Sequence, residues 1–146
     1  MKAMNITLRI VDNPADLERC FEIRRKVFVD EQAVPIELEM DELDAVATHF
    51  LAVDDSGQPV GTARLVDKHG AAKIGRVAVL KDLRGQSFGR TIMEAVVDEA
   101  RRRGFSEAVL SSQTYAIPFY ELLGFVPEGP IYDDAGIPHR TMRMSL

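Results

Sequence analysis

Val77-Ala78-Val79-Leu80 is a short apolar run that passes through Lys81-Asp82-Leu83-Arg84-Gly85-Gln86-Ser87 into Phe88-Gly89-Arg90 and a long amphipathic segment. An apolar run closed by a glycine-bearing turn reads as a strand followed by a loop. Beyond it, Phe88, Ile92, Val96 and Ala100 recur on one helical stripe, widened by Met93 and Val97. That is the width of a face that packs on a sheet. Arg101 to Arg103 suit the negative end of the helix and Gly104 is its natural stop. The order strand, loop, helix has a chemical consequence. The first N–H groups of a helix lack internal partners and point outward, where an anion can sit. Gly85 and Gly89 remove bulk, Arg84 and Arg90 add charge, and Ser87 offers a hydroxyl and an N–H. A plain loop whose glycines serve only the turn has the same pattern, so spacing alone leaves both readings open.

The remaining segments alternate between the two periodicities. Ile6 to Val11 reads as an edge or outer strand, and Asn13-Pro14 starts a helix on which Leu17, Phe21, Arg24 and Phe28 share helical spacing. The pattern breaks between Asp30 and Asp44, where Pro35 and a run of acidic residues predict a loop with a short helix. Strands are predicted at His49–Val53, Val60–Val66 and Ala72–Leu80, separated by turn signals at Asp54–Gly57 and Lys68–Gly70. Ala108–Leu110 reads as a buried strand, Tyr115–Leu123 as a short helix, and Gly124-Phe125-Val126 as a strand start. Pro127–Gly136 is turn-rich, and Ile137–Leu146 is a closing strand. The order predicts a single α/β (α+β) domain over residues 1–146, with helices flanking a mixed sheet rather than a purely parallel one. A chain of 146 residues is long enough to bury roughly 68–70% of its unfolded surface.

Composition removes several function classes. A net charge of −5 argues against a general nucleic-acid binder, whose affinity comes from neutralising phosphates. No apolar run approaches the ~20 residues of a membrane span. The N-terminus carries Lys2 but no apolar core of a secretory signal. The single cysteine, Cys20, fits a reducing cytoplasm and reads as a small buried hydrophobe rather than a nucleophile. Three scattered histidines with one cysteine give no zinc spacing, so no metal is expected. The P-loop, dinucleotide and Gly-x-Ser-x-Gly signatures are all missing.

Candidate proton-transfer groups remain. Tyr120 stands where an acid could act, although a packing tyrosine with a wetted hydroxyl fits the same sequence; Tyr115 competes with it. For a base, His49, Glu37, Glu39 and Asp41 are candidates that spacing does not fix. His49 reads first as structural, the acidic run first as a solvated loop, His139 as exposed, and Arg64 and Arg76 as partners for internal acids.

Arg84-Gly85-Gln86-Ser87-Phe88-Gly89 resembles the acyl-CoA-binding motif of the GCN5-related N-acetyltransferases, Arg/Gln-x-x-Gly-x-Gly/Ala. Ser87 stands at the first motif glycine and would be strained if that position needs positive φ. Gln113-x-x-Ala116-x-x-Phe119-Tyr120-Glu121-Leu122-Leu123-Gly124-Phe125 resembles the family's Asn-x-x-Ala-x-x-x-Tyr-x-x-x-Gly-Phe, with Gln113 where Asn is commoner. Arg25 to Pro35, then Asp44, Ala47 and His49, are similar to the ElaA and YjcF-type subgroup. The resemblance spans nearly the whole chain. It implies that strands 74–80 and 108–112 run parallel and splay, and that the pantetheine arm of acetyl-CoA pairs with backbone at Val77 and Val79. It further implies that the pyrophosphate sits over Arg84, Gly85, Gln86, Ser87, Phe88, Gly89 and Arg90, with Gln113 nearby. Tyr120 is then the general acid, and the acceptor is a primary amine of a small molecule or peptide that attacks directly. Homodimers through exposed edge strands suit such a fold. A non-catalytic acyl-CoA sensor on the same fold, or a small nucleotide-binding protein using the same turn, are the rival readings.

Overall fold

A computed structural model describes residues 5–146; Lys2 and the rest of residues 1–4 lie outside it. The chain runs β1 (Ile6–Ile10), α1 (Pro14–Arg24), a π-helical stretch (Arg25–Glu31), α2 (Ile36–Glu39), a 3-10 turn (Glu42–Ala45), β2 (Thr48–Asp54), β3 (Pro59–Lys68) and β4 (Ala71–Val79). After a second 3-10 turn (Lys81–Leu83) come α3 (Phe88–Arg102), β5 (Glu107–Gln113), a turn (Thr114–Ala116), α4 (Ile117–Leu122), β6 (Val126–Asp134) and β7 (Ile137–Ser145). The seven strands form one sheet in the order β1-β2-β3-β4-β5-β7-β6. Only β4 and β5 pair in parallel. The crossover between them is α3, as a parallel connection requires.

Helices cover both faces. The stripe Phe88, Ile92, Met93, Val96, Val97 and Ala100 is buried against Ala63, Leu65, Ala72, Ile74 and Ala108. On the opposite face α1 contributes Cys20 and Ile23, and the π-helical stretch Val27, against Leu51, Val53 and Ala78. Asn13 caps α1 by accepting from Asp16 N, and Pro14 occupies the first turn. The predicted stripe Leu17, Phe21, Arg24, Phe28 is displaced: the buried positions are Asp16, Cys20, Ile23, Arg24 and Val27. Asp16, Cys20 and Ile23 already lie one residue off the predicted stripe within α1, and the π-helical stretch carries Val27 onto the same buried face.

Two further segments depart from their sequence reading. Pro127–Gly136 is not a turn region. β6 occupies most of it, and two extra residues between Glu128 and Tyr132 break its register with β7. Pro127, Gly129 and Pro130 are tolerated there because β6 is an edge strand. Tyr115–Leu123 divides into a 3-10 turn and α4, with Pro118 in the first turn of α4.

Candidate active site

The site is built around a break between β4 and β5. They pair only at Ala72–Ala108, Lys73–Val109 and Ile74–Leu110. Gly75 to Val79 continue along β3 with no partner on the β5 side. β4 also holds one extra residue opposite Ala63, since Gly75 pairs with Arg64 while Ala78 pairs with Thr62. Arg76 absorbs it in the left-handed region at φ 52. A bulge of this kind bends its strand and re-aims the following groups. The result is a strand edge with unsatisfied backbone at the mouth of a cleft of about 410 Å³.

At the far end of β4 the chain turns into α3. Gly85 has φ 84 and Ser87 φ 65. Serine therefore sits in the conformation that favours glycine, and as the N-cap of α3 its side chain makes no capping hydrogen bond. Among the described residues, no backbone or side-chain acceptor takes the amides of Gly85 to Arg90. Those N–H groups are left for an anion. A Cβ built on Gly89 would lie 3.5 Å from Phe119 Cζ, an ordinary contact. Protein packing does not require glycine there, and a glycine leaves the backbone open to close approach. Both observations fit a diphosphate.

The side chains of the turn behave differently from their backbone. Arg84 Nε donates to the Val79 carbonyl at 2.9 Å, and its two terminal nitrogens grip the Glu31 carboxylate, each at 2.9 Å. Its charge is thus engaged in strapping the loop to the π-helical stretch. It also occupies the carbonyl at Val79, so the free backbone there is the N–H side. Arg90 Nε pairs with Glu94 at 2.7 Å on the exposed face of α3. Gln86 is exposed, and the Phe88 side chain is buried in the core. Only the Phe88 amide reaches the turn.

Within the cleft the structure brings together Val77, Gln113 and Tyr120. Gln113 Nε2 donates to Gln32 Oε1 at 2.7 Å, which ties the end of β5 to the residue after the π-helical stretch. The Tyr120 ring meets Phe119 and Phe125 edge-on, with centroids 4.9 and 6.1 Å away. Burial, reinforced by Tyr115, pushes its phenol up to about 12. It is therefore a protonated donor throughout the neutral range. Tyr115 also lines the cleft but is three-quarters exposed.

The acidic segment is not a solvated loop. Glu39, Asp41 and Asp44 alternate with Arg24, Arg64 and Arg76 in a closed ring of ion pairs. Its links are Arg24–Glu39 at 2.6 Å, Glu39–Arg76 at 3.4 Å, Arg76–Asp41 at 3.3 Å, Asp41–Arg64 at 2.7 Å, Arg64–Asp44 at 2.9 Å and Asp44–Arg24 at 2.7 Å. Glu39, Asp41, Arg64 and Arg76 of the ring line the cleft. The ring fixes the position of the bulge, because Arg76 Nε also donates to the Glu39 carbonyl at 3.1 Å. Arg64 and Arg76 are internally paired, as their strand positions led us to expect. Asp44 is held near pKa 2, because the Arg24 and Arg64 bonds and charges outweigh its burial. His49 is structural: its Nε2 faces the Asp44 carbonyl at 2.9 Å and its ring meets Phe21 edge-on. Cys20 is sealed, its Sγ donates to the Phe50 carbonyl at 3.6 Å, and burial pushes the thiol up.

His139, expected to be exposed, instead lines the cleft, as do Lys73 and Asp134. Nothing local in the sequence marks His139. It is placed by the β5–β7 register, in which it stands opposite Gln113.

A splayed parallel pair, a free strand edge and an uncapped helix N-terminus make up the site, and the class of protein is given by its relatives. Residues 12–146 match the family model described as an acetyltransferase (GNAT) domain. YjcF of Bacillus subtilis, named as an N-acetyltransferase, is 41% identical over 91% of this chain and 95% of its own length. An acyl-CoA N-acyltransferase from Pseudomonas aeruginosa has 32% identity and a TM-score of 0.86, covering 97% of this chain and 99% of that one. ElaA of Escherichia coli has 25% identity and a TM-score of 0.84 over the same shares. The chain belongs to the GNAT family, in its ElaA/YjcF subgroup, and is an acyltransferase.

Proposed function

We propose that the protein transfers an acetyl group from acetyl-CoA to a primary amine of a small molecule or peptide by direct attack. The observation that carries this reading is the unpaired edge of β4, whose Gly75, Arg76 and Val77 line one cleft with Tyr120 and whose end leads through the turn to the free amides of Gly85 to Arg90. Acetyl-CoA, as co-substrate, would supply a thioester carbonyl for attack and a thiolate as leaving group. The helix N-terminus would hold its diphosphate through backbone N–H groups and the helix dipole. The Val77 and Val79 N–H groups would serve the pantetheine arm. An N–H near Val77 would polarise the carbonyl oxygen, in the manner of an oxyanion hole.

Tyr120 would protonate the departing sulfur. A phenol near 12 gives its proton to an ordinary thiolate, of pKa about 8.5, only uphill by about 5 kcal/mol. The apolar surroundings that raise the phenol raise a thiol beside it as well, which narrows that gap in the closed site. No acyl-enzyme is needed. Cys20, the single thiol of the chain, is buried on the α1 side of the sheet and has no access to the cleft.

The test is release of free thiol from acetyl-CoA in the presence of polyamines, amino acids and peptides. Turnover with at least one amine, reduced about 10²-fold or more by Tyr120→Phe with acetyl-CoA binding unchanged, is the expected result. Binding without turnover across the panel would favour a sensor module. Indifference to CoA with binding of ATP would favour a nucleotide-binding protein.

A further inference from the structure

We propose that His139 is the general base that takes the proton of the incoming amine, an inference that rests on the acetyl-transfer reading above. His139 Nδ1 lies 2.7 Å from the Ile137 carbonyl. A carbonyl only accepts, so Nδ1 carries the hydrogen and Nε2 keeps its lone pair. Among the described residues Nε2 has no hydrogen-bond partner. The ring is oriented a second time by Tyr132, which stacks on it at 6.1 Å and 23°. Tyr132 is in turn held through a short hydrogen bond with Ser111. A histidine whose Nδ1–H is tied to a backbone carbonyl and whose Nε2 is free is arranged to accept a proton.

Its surroundings suit that work. Tyr132 faces it from β6, and Gln113 and Ser111 lie alongside on β5, neither of them charged. Tyr115 and Asp134 also line the cleft. Arg140 is turned away to the Gly129 carbonyl, and Asp133 is occupied by Gly136 N. Tyr120 and Lys73 also line the cleft, as do Glu39, Asp41, Arg64 and Arg76 of the ring of ion pairs. Arginine bonds and charges hold Asp41 and Asp44 below the usual carboxylate range, and His139 is the one imidazole on the cleft among the described residues.

Protons balance over the cycle. A primary ammonium gives one proton to His139 Nε2. The free amine attacks the thioester carbon, the C–S bond breaks, and the sulfur takes the Tyr120 proton. The nitrogen sheds its second proton, which restores Tyr120 through solvent, while His139 releases the first to water. The products are the N-acetyl amine, CoA thiol and one proton.

Two measurements test this. In the free protein, long-range 1H–15N NMR should show the neutral imidazole as the Nδ1–H tautomer with Nε2 unprotonated; a dominant Nε2–H tautomer would overturn the proposal. In the pH profile of kcat/KM, His139→Asn, which keeps a donor near the Nδ1 position, should lose 10²- to 10⁴-fold at neutral pH together with the acid limb, at unchanged acetyl-CoA affinity. His139→Gln should do the same. Either variant retaining the wild-type rate and acid limb removes His139 from the mechanism and leaves acetyl transfer standing. A wild-type protein that binds no acetyl-CoA, or turns over no amine, overturns the acetyl-transfer reading and this role with it.

Discussion

Arg24 Nε lies 2.6 Å from Glu39 Oε1, and both side chains are almost wholly removed from water. Arg24 leaves the end of α1 and Glu39 ends α2, so this pair fastens the segment beside the cleft onto α1. Glu39 Oε2 has no hydrogen-bond partner, which makes the pair sensitive to loss of its remaining support. Removing one member of a buried pair strands the other charge. Arg24→Met should therefore destabilise the fold by about 3–5 kcal/mol, read from urea unfolding midpoints. Adding Glu39→Gln should recover at least about 1 kcal/mol of that loss, because residues in one ion-pair network couple. Equal stability of the single and double variants would contradict a buried pair.

The same ring predicts how the protein responds to acid. Asp44 falls from an ordinary 3.8 to about 2 in the folded state. A carboxylate lowered by folding contributes stability that is complete above its unfolded value and vanishes as pH falls through its folded one. The shift of nearly two units corresponds to about 2 kcal/mol. Unfolding free energy measured from pH 6 downward should stay flat until about pH 4 and then decline toward pH 2. Asp44→Asn should lower stability at pH 6 and flatten the decline.

Much of the scaffold is legible in the sequence, and the reason is local. The α3 stripe, the turn after β4 and the hairpins of β2, β3 and β4 are written in periodicities of a few residues. The ring is not legible. Nothing between Glu37 and Asp44 says that its partners lie at Arg24, Arg64 and Arg76, since pairing depends on how the sheet carries those arginines to one face. His139 and β6 mislead for related reasons. Pro127, Gly129 and Pro130 look like turn residues, and only the position of β6 at the sheet edge makes them compatible with a strand. Arg84 shows the converse. Its charge beside the glycine turn invites a phosphate role, while Glu31, distant in sequence, takes it up.

Ser87 tests whether the anion site carries a cost in stability. At φ 65 and ψ 18, with no capping bond from its side chain, it occupies a conformation that costs a non-glycine residue about 1 kcal/mol. Ser87→Gly should raise the melting temperature by about 2–4 °C. If the hydroxyl also grips the diphosphate, acetyl-CoA affinity falls in the same variant. If only the backbone does, affinity is unchanged. A lower melting temperature would show that the left-handed conformation is not the native one.

Gly89 separates ligand from fold most cleanly. A methyl group added there would meet Phe119 at ordinary contact distance, and alanine favours a helix over glycine by about 1 kcal/mol. Gly89→Ala should thus leave thermal stability equal or higher. The added carbon nevertheless stands on the first turn of α3, beside the unpartnered amides to which the proposed function assigns the diphosphate. Acetyl-CoA affinity, measured by calorimetry, should fall at least about tenfold, equivalent to about 1.4 kcal/mol. Unchanged affinity with unchanged stability would mean that the diphosphate does not approach this turn, and the alignment of cofactor with Tyr120 would have to be drawn another way.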